Sequence, residues 1–252
     1  VAQLRLLMDE IFGEENFVES FIIRSNPRGN QAKKFTASEH EYVLCYSKNI
    51  FNFYPLGFPK KENEYSKIDE ERRYFDEIGL RKRGAGARKE DAPNLFYPIY
   101  YSPKSNDISL EKKDESYIEI IPKLSNGSDG RWRWSKAKFE QNKDKLFVRI
   151  VKRNNKEEYD IFEKVYYDEG KIKKIKSIFN EKEVNYENGT EELDRLFNGK
   201  KIFSYPKPTY LLYKLIKSLP LSSDDIILDF FAGSGTTADA VMQLNAEDGG
   251  SR

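Results

Sequence analysis

The residues of this chain best placed to do chemistry lie near its end, in Asp229-Phe230-Phe231-Ala232-Gly233-Ser234-Gly235-Thr236-Thr237. Glycines at 233 and 235 let a backbone bend sharply and approach a ligand closely. A helix starting near Thr236 would aim its unpaired N–H groups at that bend. Such a bend suits a nucleotide-like cofactor, the plain alternative being a strand-to-helix turn with no ligand. A phosphate loop of the G-x-x-x-x-G-K-[ST] type is excluded, since the lysine and both spacings are missing. A dinucleotide fingerprint is matched only loosely, by Gly233, Gly235 and Ala238, and its confirming acidic residue would fall beyond Arg252.

A second kind of chemistry is recognition of a polyanion. Arg81, Lys82, Arg83, Arg88 and Lys89 flank Gly84 and Gly86 in a loop suited to phosphate contacts. Arg131-Trp132-Arg133-Trp134 follows a turn. If extended, it puts both arginines on one face and both tryptophans on the other, either as base-reading arginines or as core tryptophans with arginines outside. Arg24, Arg28, Lys33 and Lys34 form a third cluster. Each of the three can equally be a solvated charged face. His40 is the single histidine and Cys45 the single cysteine, so a zinc site of the usual kind is excluded. No Ser–His–Asp string is present.

These groups need elements to hold them. Val1, Leu4, Leu7, Met8, Ile11 and Phe12 recur at helical spacing before Gly13. Residues 17–25 and 41–49 read as strands, the latter mostly apolar and expected to be buried. The spacing predicts a helix over about residues 62–78, in a charged stretch that follows Pro55, Gly57 and Pro59. Short strands with turns follow, and Lys171, Lys173, Lys174 and Lys176 read as a solvated face. Near the end, Leu211, Leu212, Leu215, Ile216 and Leu219 mark a helix bounded by Pro208 and Pro220. Residues 226–230 then read as a strand buried in a parallel sheet. The two ends have α/β texture and the middle does not, which predicts an α/β domain interrupted by an insert over residues 51–200.

Composition limits the alternatives. Lys and Arg number 43 against 42 Asp and Glu, so global charge argues neither for nor against nucleic acid. One cysteine excludes a disulfide within the chain and suits a reducing cytoplasm. No apolar run approaches the roughly 18 residues of a membrane span. Seventeen Phe and sixteen Tyr supply a core and suit a wet recognition surface. The chain opens on Val1 inside an amphipathic pattern, so we expect a piece of something longer.

The whole string from Asp229 to Thr237 closely resembles the S-adenosylmethionine loop of amino-group DNA methyltransferases. Phe203-Ser204-Tyr205-Pro206-Lys207-Pro208 is similar to the Lys-Pro element that precedes that loop in the same family. With "LRLLMDEIFGEENFVESFI", "EHEYVLCYSKN", "PNLFYPIYY" and "DGRWRWSKAKFE", most of the chain resembles the modification subunit of type III restriction–modification systems. These are adenine-specific DNA methyltransferases of the β circular order, in which the cofactor loop comes last.

The resemblance implies a partial, Rossmann-like, S-adenosylmethionine-dependent methyltransferase fold, α/β in class, interrupted by a mixed α/β target-recognition insert. Residues 1–50 would belong to the catalytic half, 51–200 to target recognition and 201–252 to the cofactor site. Phe203, Ser204, Lys207, Asp229, Phe231, Ala232, Gly233, Ser234, Gly235, Thr236 and Thr237 would hold S-adenosyl-L-methionine. Arg81, Lys82, Arg83, Arg88, Lys89, Arg131 and Arg133 would meet double-stranded DNA. A homodimer and a helicase–nuclease restriction subunit are the implied partners, in the cytoplasm.

The family's Pro-Pro-Tyr-type catalytic motif is absent from these residues, so no catalytic residue is assigned. An interior fragment, inactive alone, is therefore expected. Two other readings stay open: a non-catalytic DNA-recognition fragment or decayed gene product, and a nucleotide-dependent dehydrogenase.

Overall fold

The computed structural model describes residues 1–30, 35–153 and 155–252. In chain order the elements are α1 (Ala2–Phe12), β1 (Phe17–Ile23), β2 (Glu41–Tyr46), β3 (Gly57–Pro59), β4 (Lys67–Ile68), β5 (Tyr74–Gly79), β6 (Ile99–Ser102), β7 (Asp107–Ser109) and β8 (Ile118–Ile120). They continue with α2 (Lys136–Asn142), β9 (Leu146–Arg153), β10 (Lys156–Tyr166), β11 (Ile172–Lys174), β12 (Ile178–Phe179), α3 (Tyr186–Leu196), α4 (Thr209–Lys217) and α5 (Thr236–Asp248). The class is mixed α/β. The chain divides into two compact units, one of residues 1–59 with 172–252, the other of residues 60–171.

In the first unit, β1 pairs antiparallel with β2 and parallel with β12, with Ile22 opposite Ile178. Side chains alternate along β1, so Phe21 and Ile23 turn inward onto Phe179, Val184 and Leu211. β2 lies at the sheet edge and is half-exposed rather than buried. The apolar stripe of α4 forms as its spacing predicts. Leu211 faces the sheet, and Ile216 meets Ala240 and Leu244 of α5 in a second small core. Residues 51–59 and 172–200 fold within this unit, because β3 pairs with β11 and β12 pairs with β1.

The expected strand over residues 226–230 does not form. A strand is held by its ladder hydrogen bonds, and no neighbour among the described residues offers them here. Ile227 packs on the α4–α5 core, while Ile226, Leu228 and Phe230 face solvent at 94%, 78% and 76% exposure. Among the described strands the β1–β12 pair alone is parallel.

The second unit carries two antiparallel sheets, ordered β4-β5-β10-β9 and β7-β6-β8. Leu80, Ile99, Trp132, Trp134, Phe139 and Ile161 are all but fully buried and close one core between them. The expected helix over residues 62–78 is replaced by β4 and β5, because Tyr74–Gly79 finds a full ladder on β10. Tertiary pairing overrides the local preference of a charged run.

Candidate functional site

The Gly233–Gly235 bend is built from backbone geometry that only glycine takes easily. Gly233 and Gly235 sit at φ 57° and 77°, in the left-handed region. Gly235 N–H donates to Ala232 O at 2.7 Å, closing the turn, and Gly235 then serves as the N-cap of α5. It brings no capping side chain, so the first N–H groups of the helix keep no side-chain acceptor there. A Cβ on Gly235 would meet nothing within 4 Å, so the space beside the bend is open.

Side chains hold the bend in place. Asp229 Oδ1 accepts from Phe231 N at 3.1 Å, and its Oδ2 accepts from Thr237 Oγ1 at 2.6 Å. Ser234 Oγ and Thr236 Oγ1 are 2.8 Å apart. Thr236 Oγ1 donates to Lys207 O at 3.2 Å, which ties the bend to the Lys-Pro segment. Phe203 reaches the same place: a Cβ on Gly233 would lie 3.5 Å from Phe203 Cζ. The structure thus gathers Phe203, Lys207, Asp229, Ala232, Gly233, Ser234, Gly235, Thr236 and Thr237. Phe231 points outward, 83% exposed, against Phe230. Ser204 does not contact the bend but lines a polar cleft of about 450 Å³ with Ser25, His40, Glu41, Tyr186 and Tyr205.

Four residues outside the glycine bend and the Lys-Pro element, Glu41, Tyr186, Gly189 and Thr209, pack around them. Glu41, at the start of β2, accepts from Lys207 Nζ at 2.8 Å and from the Tyr186 hydroxyl at 2.7 Å. Lys207 Nζ also lies 3.9 Å from the centre of the Tyr186 ring, a cation–π contact. Burial, and then Glu41, push the Tyr186 hydroxyl above the tyrosine range. Gly189, within α3, lets that helix pass the Lys-Pro backbone: a Cβ would come 2.8 Å from Pro206 O and Lys207 C. Thr209, at the start of α4, donates its N–H to Glu192 Oε2 at 2.9 Å and its hydroxyl to Asp239 Oδ2 of α5 at 2.8 Å. A glycine inside the helical run of residues 186–196 was the one sequence signal among these, since it marks a close approach.

The basic residues divide by what they hold. Trp132 and Trp134 are core, and Arg131 and Arg133, which alternate with them, are half-buried on the other face. Arg131 Nε donates to Gly86 O, Arg81 to Lys123 O, and Arg133 to Glu163 and Gly79 O. Lys89 pairs with Asp129 at 3.4 Å and lies over the Phe96 ring. Arg24 and Arg28 are paired with Glu39 and Glu187. Lys33 and Lys34 lie outside the described residues. His40 Nε2 is 2.9 Å from the Tyr42 hydroxyl. Burial pushes the half-buried Cys45 thiol up. Among the described residues, no group of three or more His, Cys, Asp or Glu could hold a metal ion, and no helix is long and apolar enough to cross a membrane.

Residues 1–247 match the N6_N4_Mtase family, the DNA methylases. The chain is 34% identical over 251 residues to the Type II methyltransferase M.KpnI of Klebsiella pneumoniae, spanning 100% of this chain and 58% of that protein. It is 33% identical over 264 residues to the Type III restriction-modification enzyme EcoPI Mod subunit of Escherichia phage P1, covering 99% and 39%. To the StyLTI Mod subunit of Salmonella typhimurium it is 30% identical over 253 residues, covering 100% and 34%. The chain therefore spans little more than half of the first relative and less of the other two. A match of this extent leaves no room for the dehydrogenase reading of the glycine bend: the chain belongs to the DNA methylase family.

Proposed function

We propose that the protein acts as a site-specific DNA adenine-N6 methyltransferase of a type III restriction–modification system, with S-adenosyl-L-methionine at the Gly233–Gly235 bend. The observation that carries this reading is the Thr236–Lys207 hydrogen bond, which joins the two segments that the resemblance assigns to one cofactor. The residues fit that group. The space beside Gly235 is open, the start of α5 has no side-chain cap, the Lys207 carbonyl is tied to Thr236 while its ammonium rests on Glu41, and the edge of the Phe203 ring reaches Gly233. The family match supports a methyltransferase fold of the Rossmann-like kind for the first unit, completed around these elements.

When bound, the cofactor supplies an activated methyl group for an exocyclic amine. The chain's own residues bind and orient it. The Lys207 ammonium and the helix N–H groups attract its carboxylate. Asp229 keeps the bend rigid through Phe231 N and Thr237 Oγ1, so little ordering is left for binding.

Residues 60–171 serve in this reading as target recognition on duplex DNA, with Arg81, Lys82, Arg83, Arg88, Lys89, Arg131 and Arg133 as its basic face. A restriction subunit, as the Type III restriction-modification Mod subunit names of two relatives suggest, and a second copy of the chain, as the resemblance implies, complete the assembly in the cytoplasm. No Pro-Pro-Tyr-type string occurs in these 252 residues, so the reading assigns no catalytic residue among them. The 252-residue polypeptide alone is expected to transfer no methyl group to DNA.

Calorimetry of the chain with S-adenosylmethionine and, in parallel, NAD tests the cofactor assignment. Binding of the first and not of the second is the expected result. Binding of NAD alone, or of neither, overturns it.

A further inference from the structure

We infer that Lys82, Arg83 and Arg88, with Asn126 across from them, form a clamp for the DNA phosphate backbone, and that Arg81, Arg131 and Arg133 shape this clamp without touching DNA. The inference rests on the DNA-binding reading given above and divides the basic face into two jobs.

A cleft of about 550 Å³ in the second unit is lined by Lys82, Arg83, Gly84, Arg88 and Asn126, and by Arg81, whose guanidinium is tied to Lys123 O. One wall is the loop after Leu80, the other the turn that Leu124 N–H closes on Ser128 O at 2.9 Å. Both walls are pinned from below. Arg88 bridges to Gly130, Lys123 to Asp129, and Arg81 to the fully buried Trp132.

Within this frame the three arginines are occupied. Arg131 holds Gly86 O and Arg81 holds Lys123 O, so each wall is fastened by a guanidinium; Arg133 is spent on Glu163 and Gly79 O. Lys89 and Lys123 share Asp129, whose single charge offsets one of their two, and both ammoniums are held by it. By contrast, the head groups of Lys82, Arg83 and Arg88 have no hydrogen-bond or ion-pair partner among the described residues.

Three unneutralised cations around one concave space raise the local potential for an anion. Gly84, exposed between them, would meet nothing within 4 Å even with a Cβ, so a ligand can approach the loop backbone. Asn126 spends its Oδ1 on Ser128, which leaves its amide N–H groups as donors. The set is all donors and positive charge, the chemistry of phosphodiester oxygens rather than of a single base edge.

The test is the salt dependence of duplex binding by the 252-residue chain. For the unaltered chain, log affinity is expected to fall with log salt. In the triple variant K82A/R83A/R88A the slope should shrink by about 2–3, and affinity at low salt should drop tenfold or more. In Arg131→Met the slope should stay as it was, even if affinity changes. Equal slopes for the unaltered chain and the triple variant would overturn the clamp. A slope lost in R131M would overturn the division of roles. An unaltered chain with no salt-dependent duplex binding would instead sink the DNA-binding reading itself. A second readout needs no variant: duplex DNA should protect Lys82 from acetylation and leave Lys89 as reactive as before. Equal protection of the two lysines, or none at Lys82, counts against the clamp.

Discussion

Lys207 Nζ lies 2.8 Å from Glu41 Oε2, a contact between residues 166 positions apart in the chain. Both side chains are roughly half-exposed, so the pair adds no more than about 1 kcal/mol to stability. In the proposed function its weight falls on binding, because Glu41 would then compete for the ammonium that a cofactor carboxylate uses. Lys207→Met should therefore melt like the unaltered chain and bind S-adenosylmethionine roughly tenfold or more weakly, the loss of one charge-assisted hydrogen bond. Glu41→Gln should bind it several-fold more tightly. Calorimetry on the three proteins decides, and weaker binding by E41Q would show that Glu41 helps the site rather than competes with it.

The bend itself makes a graded prediction. Gly235 stands at φ 77° with open space where a Cβ would go, so substitution there costs backbone strain and no clash. Asn tolerates the left-handed region and β-branched Val does not. Gly235→Asn should lower stability by less than about 1 kcal/mol and Gly235→Val by about 2 kcal/mol, read from urea midpoints. Equal losses would mean that the left-handed turn is not kept in the folded chain.

At Gly189 two effects oppose each other. Alanine is the better helix residue by about 0.5–1 kcal/mol. Its Cβ would come 2.8 Å from Pro206 O and Lys207 C, backbone atoms that must move to admit it. Overpacking of this kind costs about 1–3 kcal/mol and should win. Gly189→Ala is expected to lower the melting temperature and to weaken cofactor binding, although it replaces no residue of the bend. A stabilised variant would show that α3 passes the Lys-Pro segment less closely.

Features carried by local pattern could be read from the sequence. The stripe from Leu211 to Leu219, bounded by two prolines, gave α4 its place, and the glycine bend with its following helix is where the spacing put it. Arg-Trp-Arg-Trp alternation left two readings, of which the structure chooses core tryptophans. Features decided by partners could not be read. Tyr74–Gly79 looks helical until β10 is known to run beside it. Residues 226–230 have a strand's composition but no ladder among the described residues. Glu41 lies in neither the glycine bend nor the Lys-Pro element, and the pairing of β1 with β2 and the course of α3 bring it to Lys207 and Tyr186.

The last prediction concerns pH, through Tyr46 and Asp9. The Tyr46 hydroxyl donates to Asp9 Oδ1, and the Arg5 guanidinium donates to the same carboxylate at 2.9 Å while covering the Phe17 ring at 3.5 Å. Partial burial, then the bond to Asp9, push the Tyr46 hydroxyl from 10.0 up to about 12. The Tyr46 hydroxyl, then Arg5, hold Asp9 below its ordinary 3.8, against desolvation. The signs differ. Tyr46 binds its proton more tightly when folded, so its stabilisation is whole below pH 10 and is lost as pH climbs towards about 12. Asp9 holds its proton less tightly when folded, so its stabilisation is whole above 3.8 and is lost as pH falls through the lowered value. Tyr46→Phe removes the first group and the largest cause acting on the second. Urea midpoints of the variant should therefore vary less with pH on both arms, alkaline and acid. Arms as steep as those of the unaltered chain would place the pH dependence elsewhere in the molecule.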